Sequence, residues 1–213
     1  METVIKDEVA FLRMVSTDGH RLSFIEKSIP GLESLQLSEG VLVPRKGMSE
    51  LNKLASEEGA VQLGFEQKSC VARKDDALMV VRLLETKFPD YKAVIPDKEN
   101  FSISVERILL LEAMRKMLIL SNERYRAVKV SLENDNMELV STNPDLGEAQ
   151  ESIKVEYKGE RMAMGFNPRY FVDVLQSMES EIVLLGFVEE KKPCVVRGDA
   201  DGGFLGLVMP MKV

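Results

Sequence analysis

Two periods run through the apolar positions of the chain. In Val128-Lys129-Val130-Ser131-Leu132 and Met137-Glu138-Leu139-Val140-Ser141 apolar and polar residues largely alternate, as in half-buried strands. Glu133-Asn134-Asp135-Asn136 between them are turn formers, so the two segments are expected to pair as a hairpin. Residues 181–187, 192–197 and 204–209 carry three more strand patterns. Between Ser104 and Ser121 the spacing lengthens: Ile108, Leu111, Met114 or Arg115, and Leu118 recur at helical intervals, with Ser104 as the N-cap. Asn167-Pro168-Arg169 opens a second helix to about Met178, because proline at the first helical position gives up an N–H that no carbonyl needs. The first half predicts strands at 11–15 and 22–26, a helix at 46–56, and strands at 61–65, 69–73 and 78–84. The expected fold class is α+β, with antiparallel strands far outnumbering helices.

The halves repeat one another. Val15-Ser16-Thr17 recurs as Val140-Ser141-Thr142, 125 residues on, and Leu63-Gly64-Phe65 as Leu185-Gly186-Phe187, 122 on. Cys70-Val71-Ala72-Arg73 matches Cys194-Val195-Val196-Arg197 at 124, and Val41-Leu42-Val43-Pro44 falls opposite Met164-Gly165-Phe166-Asn167 at 123. Four matches in order at nearly one offset mark an internal repeat. The helix expected after Ser104 has no counterpart in the first copy, which is therefore expected to lack about 20 to 25 residues ahead of Met1. The prolines in the stretch from Phe88-Pro89-Asp90-Tyr91 to Pro96-Asp97-Lys98 limit helix formation there and mark the connection. The expected division is an incomplete domain over 1–95 and a complete one over 96–213.

Composition narrows the chemistry. A formal net charge of −7 argues against simple adhesion to a phosphate backbone. Yet from Arg107 to Lys129 six basic residues (Arg107, Arg115, Lys116, Arg124, Arg126, Lys129) face two acidic ones, Glu112 and Glu123. The cysteines occupy equivalent places in the two copies, so Cys70 and Cys194 are expected as packed, reduced thiols. The longest apolar runs fall far short of the roughly 20 residues of a membrane span, and the start lacks a secretory signal, which gives a cytoplasmic expectation. With one histidine and no nucleophile elbow, phosphate loop or metal-ligand spacing, neither catalysis nor a cofactor nor a metal is expected. Asp18-Gly19-His20 reads first as a hairpin turn, with an acid–base pair of Asp18 and His20 as the enzymatic alternative. Asp199-Ala200-Asp201-Gly202 has the opening of a calcium loop without its twelfth-place glutamate, and reads as another turn.

Thr17-Asp18-Gly19-His20-Arg21-Leu22, Val43-Pro44-Arg45-Lys46-Gly47, Phe88-Pro89-Asp90-Tyr91 and the terminal Leu207-Val208-Met209-Pro210-Met211-Lys212-Val213 remain. In this order they resemble segments of the bacterial sliding clamp family, the β subunit of DNA polymerase III, along essentially the whole chain. The resemblance implies repeated clamp-type domains, each with two helices packed on antiparallel sheets: part of the second domain, N-terminally truncated, and the whole third. It implies a non-catalytic DNA replication processivity factor, a head-to-tail homodimeric ring around double-stranded DNA. Without a first domain this chain is expected not to close that ring, and to be a monomer or a non-native dimer.

The family also implies a pocket that takes peptides of Gln-Leu-x-Leu-Phe type from DNA polymerases, the clamp loader and repair proteins. Matched motif by motif, Thr17, Gly19, His20, Arg21 and Leu22 supply one wall, Pro89 and Val94 follow, and Val208, Met209, Pro210 and Met211 close it. Asn167, Tyr170 and Pro193 resemble the neighbouring subsite. Arg45, Lys46 and Lys53 on one helix and Arg107, Arg115 and Lys116 on another are the expected DNA-facing cations, with solvated helix faces as the plain alternative. Ala93, where related clamps can carry a basic residue, and the terminal Val213 depart from the family and bear on peptide preference. A last core strand is the bland reading of Met209-Pro210-Met211, and a purely structural fragment remains the third functional alternative.

Overall fold

A computed structural model describes residues 1–32, 35, 37–56, 58–121 and 127–212. The described chain forms two compact units, one of Met1–Met14 with Glu26–Tyr91 and the other of Val15–Ile25 with Lys92–Val213. Arg124 and Arg126 of the basic segment, and Val213, lie outside the described residues.

The first unit contains β1 (Glu2–Lys6), which pairs antiparallel with β2 (Val9–Thr17) from Glu2 opposite Arg13 to Lys6 opposite Val9. The tight turn between them holds Asp7 and Glu8 at positive φ, a conformation acidic side chains tolerate better than branched ones. β3 (Arg21–Lys27) lies in the second unit up to Ile25 and in the first from Glu26. The first unit continues with α1 (Arg45–Ala55) and the meander β4 (Gln62–Glu66), β5 (Ser69–Lys74) and β6 (Ala77–Arg82). Its core is small: Leu51 of α1, Cys70 and Ala72 of β5, and Leu83 are the buried residues that cluster.

The second unit is built more heavily. β7 (Phe101–Glu106) runs directly into α2 (Arg107–Leu120), and β8 (Val128–Glu133), β9 (Asn136–Asn143), β10 (Gly147–Lys154) and β11 (Met162–Phe166) form a sheet ordered β10-β9-β8-β11. After α3 (Pro168–Gln176) come β12 (Ile182–Phe187), β13 (Cys194–Gly198) and β14 (Phe204–Val208), ordered β7-β12-β13-β14, and residues 21–25 of β3 pair with β14. Burial along β9 alternates strictly, as its sequence predicts. The helices pack on each other, α2 also against β9 and β10 and α3 against β14. Phe166, Phe171, Met114, Met117, Leu139 and Leu175 are among the fully buried side chains at the centre.

Two expectations are corrected. Ser104 is not a helix cap: it sits in β7 opposite Leu184, and α2 begins at Arg107 after Glu106, whose side chain makes no capping bond. The alternation Ser102-Ile103-Ser104-Val105, with Ile103 and Val105 buried, is a strand period. The buried face of α2 is also shifted by about a residue, to Leu110, Leu111, Ala113, Met114 and Met117, leaving Ile108 exposed. The helix at Asn167-Pro168 forms as read, and the Asn167 side chain accepts from Arg169 N at 3.0 Å. Both cysteines are buried and free, one in each unit, and burial raises both thiol pKa values. Among the described residues no helix is long and apolar enough to cross a membrane.

Candidate peptide-binding site

The site is assembled from three segments of the second unit. β14 and β3 are in register with Leu207 opposite Leu22 and Val208 opposite Arg21. Past the end of β14 the chain continues as a strap: Met209 N donates to His20 O at 2.9 Å, and Met211 N donates to Gly165 O of β11 at 2.8 Å. Pro210 has no N–H to donate. Residues 209–211 are therefore tied to the hairpin at one end and to β11 at the other, while all three stay half-buried with side chains reachable from solvent. A ligand laid along this strap finds no unused amide on it, so register has to come from carbonyls, side chains and apolar fit.

The hairpin tip is fixed by its own polar groups. The Thr17 hydroxyl donates to Arg21 O at 2.7 Å and accepts from Gly19 N at 3.1 Å. Asp18 Oδ1 accepts from His20 N and Arg21 N at 3.0 and 3.1 Å, and Gly19 takes φ +85°, where a Cβ would be strained. Burial works against the Asp18 carboxylate, yet those amides and the Arg21 guanidinium hold its pKa below the ordinary value. Asp18 is thereby occupied in shaping the turn, as the hairpin reading requires.

Arg21 leaves the tip toward α3. Its Nε donates to Asp18 Oδ2 at 3.0 Å and its Nη1 to Asp173 Oδ2 at 2.6 Å, and its guanidinium carbon lies 4.7 Å from the centre of the Tyr170 ring. The His20 imidazole stacks on the same ring, centroids 6.3 Å apart and planes 12° from parallel. Burial pulls the Arg21 pKa down, but bonding to Asp173 and Asp18 prevails and raises it. Arg169 Nε holds the other oxygen of Asp173 at 3.0 Å. Neither Arg169 nor Asp173 is among the residues expected from sequence. Their i, i+4 spacing on α3 was the available signal.

Of the remaining expected residues, Asn167 caps α3 beside Tyr170, whereas Leu22, Pro193 and Val208 are buried. Val94 is exposed at the end of a 3-10 turn, Tyr91–Val94. Pro89 is exposed in the first unit.

The six candidate DNA-facing cations differ. Arg45, Lys46 and Lys53 share the exposed face of α1, with Lys53 paired to Glu50 at 2.9 Å. On α2, Arg107 is half-buried and donates to Ser180 O at 2.7 Å and Leu175 O at 3.1 Å, a tie to the end of α3. Lys116 pairs with Glu151 at 2.7 Å, which raises its pKa, and Arg115 is exposed. Ile108, Leu109 and Ile119 interleave with them as exposed apolar side chains.

Comparison with known proteins places the fold. The fold matches a DNA polymerase sliding clamp from Caulobacter crescentus with TM-score 0.90 and 30% identity, covering 100% of this chain and 56% of that one. It matches a sliding clamp from Bartonella birtlesii, solved bound to griselimycin, with TM-score 0.90 and 32% identity over 100% and 57% of the two chains. The α+β architecture is that of the DNA clamp class. Residues 92–212 match the C-terminal domain of the DNA polymerase III beta subunit and residues 1–90 its central domain. The chain belongs to the DNA polymerase III β-subunit family. The beta sliding clamp of Proteus mirabilis is 35% identical over 208 residues and that of Pseudomonas putida 36% over 205; each match takes in 95% of this chain and 55% of the relative. The chain thus spans about half the length of the relatives it matches.

Proposed function

We propose that this chain acts in DNA replication as part of a sliding clamp, a non-catalytic processivity factor, and that its strap, hairpin tip and α3 receive short peptides from partner proteins. The observation that carries the reading is the strap, tied by main-chain bonds at both ends while Met209 and Met211 remain accessible. A terminal core strand would bury those methionines. Flexible thioethers on a fixed backbone adapt to apolar anchors of different shape, and each buried Leu or Phe anchor is worth about 1.5–3 kcal/mol.

In this reading residues 1–95 form the middle clamp domain and 96–213 the C-terminal one. Thr17, Gly19, His20 and Arg21 line one side, Met209, Pro210 and Met211 the other, and Tyr170 and Asn167 the neighbouring subsite. DNA polymerases, the clamp loader and repair proteins are the partners whose peptides fit. The whole clamp would be a head-to-tail homodimer enclosing double-stranded DNA, with the basic faces of α1 and α2 toward the phosphates.

A fluorescence titration with a labelled Gln-Leu-Ala-Leu-Phe peptide tests the site. Saturable binding that Met209→Ala and His20→Ala each weaken is expected. A flat titration against the folded chain would refute the peptide reading.

A further inference from the structure

We propose that Asp173 is the positioning residue of this site, its carboxylate fixing the Arg21 guanidinium over the Tyr170 ring so that the wall exists before a ligand arrives. The inference deepens the peptide-binding reading and rests on it for its consequence, though not for its geometry.

An arginine side chain has many rotamers, and although its guanidinium is attracted to an aromatic face, a bond to the element that bears the ring is what holds it in one place there. Two carboxylates grip Arg21, and they do different work. Asp18 lies three residues away in the same hairpin, so its bond to Nε fixes the guanidinium only relative to the turn that bears it. Asp173 belongs to α3, one helical turn past Tyr170, and its bond to Nη1 is the tie between guanidinium and the helix that carries the ring. Arg169, Tyr170 and Asp173 lie three and four residues apart, on one side of α3, while Phe171, Val172, Val174 and Leu175 are buried.

The carboxylate is itself held. Oδ1 lies 3.0 Å from Arg169 Nε and Oδ2 2.6 Å from Arg21 Nη1, so the two oxygens are held from opposite partners at once. With Asp173 fixed, Arg21 covers the Tyr170 ring and His20 stacks on it, and Tyr170 loses the freedom a half-exposed tyrosine ordinarily has. A ligand that packs on Tyr170 then avoids ordering cost at the moment of binding.

The test uses the whole chain and the Gln-Leu-Ala-Leu-Phe peptide. Asp173→Asn keeps the shape and removes the charge; it should weaken the peptide about tenfold, the size of a partly desolvated cation–π contact with its charge-assisted bond. Asp173→Glu should recover part of the loss. In an Arg21→Gln background Asp173→Asn should change affinity less than about twofold, because the two residues act as one unit. Independently of any peptide, NMR of the Tyr170 ring should show faster ring flipping in Asp173→Asn. The same release is expected in Arg21→Lys, which leaves α3 untouched if the first variant folds poorly.

Unchanged ring signals in both variants would overturn the proposal. So would equal losses from Asp173→Asn with and without Arg21, which is what a merely structural residue gives. If the parent chain binds no peptide at all, the functional reading fails, and the ring signals still decide the role of Asp173.

Discussion

Arg13 and Glu26 are nearly buried, and charges in such a place persist only when paired on all sides. Arg13 Nη2 lies 2.5 Å from Glu26 Oε1, and its Nη1 donates to Glu2 Oε1 at 3.0 Å and to the Tyr91 hydroxyl at 2.8 Å; Tyr91 in turn donates to Glu2, and Lys6 to Glu26. This network joins β1, β2, β3 and the Phe88-Pro89-Asp90-Tyr91 stretch within the first unit. Burial pushes the Glu26 pKa up, but the bonds from Lys6 and Arg13 outweigh it and leave the carboxyl below its ordinary value. A carboxylate depressed in the folded state stabilises above its unfolded pKa, and that contribution disappears as pH falls through the folded one. The first unit should therefore lose stability as pH drops below about 4.5. Glu26→Gln should cost about 1–3 kcal/mol at pH 7 and flatten the acid dependence. Amide exchange in residues 2–6 is the appropriate probe, because Asp18 and Asp201, also depressed, titrate in the second unit.

At the scale of elements, Gly47 sets two effects against each other. In the first turn of α1, where Gly47 is the third residue, replacing glycine by alanine favours the helix by up to about 1 kcal/mol. A Cβ there would overlap the Val81 side chain of β6, however, and forced overpacking costs about 1–3 kcal/mol. Packing should win: Gly47→Ala is expected to destabilise the first unit by about 1 kcal/mol in urea unfolding, whereas in a Val81→Ala background, with the overlap removed, the same change should become stabilising. Local signals of this kind decided what could be read from sequence. The turn at Asp18-Gly19-His20, the Asn167-Pro168 helix start and the β8–β9 hairpin were legible because their instructions lie within a few residues. β10 escaped notice because Glu148, Gln150 and Ser152 leave only Ala149 and Ile153 to mark a period; its existence depends on pairing with β9. The charge that makes Arg107 a candidate DNA-facing residue is local information, whereas its bonds to carbonyls of Leu175 and Ser180 come from residues far along the chain. The tie between Arg21 and Asp173 spans 152 positions and had no sequence trace beyond the Arg169–Asp173 spacing.

Across the whole molecule the units are unequal. Among the described residues, four buried ones cluster in the first unit and twenty-eight in the second, and local stability follows buried apolar contact. Amides of β5 should exchange faster than those of β9 and β13 at neutral pH; equal protection would mean that the units unfold together. Charge gives a second global contrast. Of the six expected DNA-facing cations, Lys53 and Lys116 are ion-paired and Arg107 is bound to carbonyls, whereas Arg45, Lys46 and Arg115 make no ion pair among the described residues. Three phosphate contacts give a slope of log affinity against log salt near −2.7, at about −0.9 per phosphate. On a chain of net charge −7 such contacts can support only weak adhesion to linear duplex. At the proposed peptide site Arg21 and Arg169 are balanced by Asp18 and Asp173, so peptide affinity should scarcely respond to salt. Anisotropy titrations of the same preparation between 50 and 200 mM salt, one with duplex and one with peptide, should separate: a shallow slope for DNA and nearly none for the peptide. A DNA slope much steeper than −3 would mean that this surface holds the backbone by adhesion. The proposal that a clamp retains DNA by enclosing it would then lose its electrostatic basis, because retention by enclosure is the mode that tolerates an acidic molecule with few uncommitted cations on its candidate DNA-facing helices.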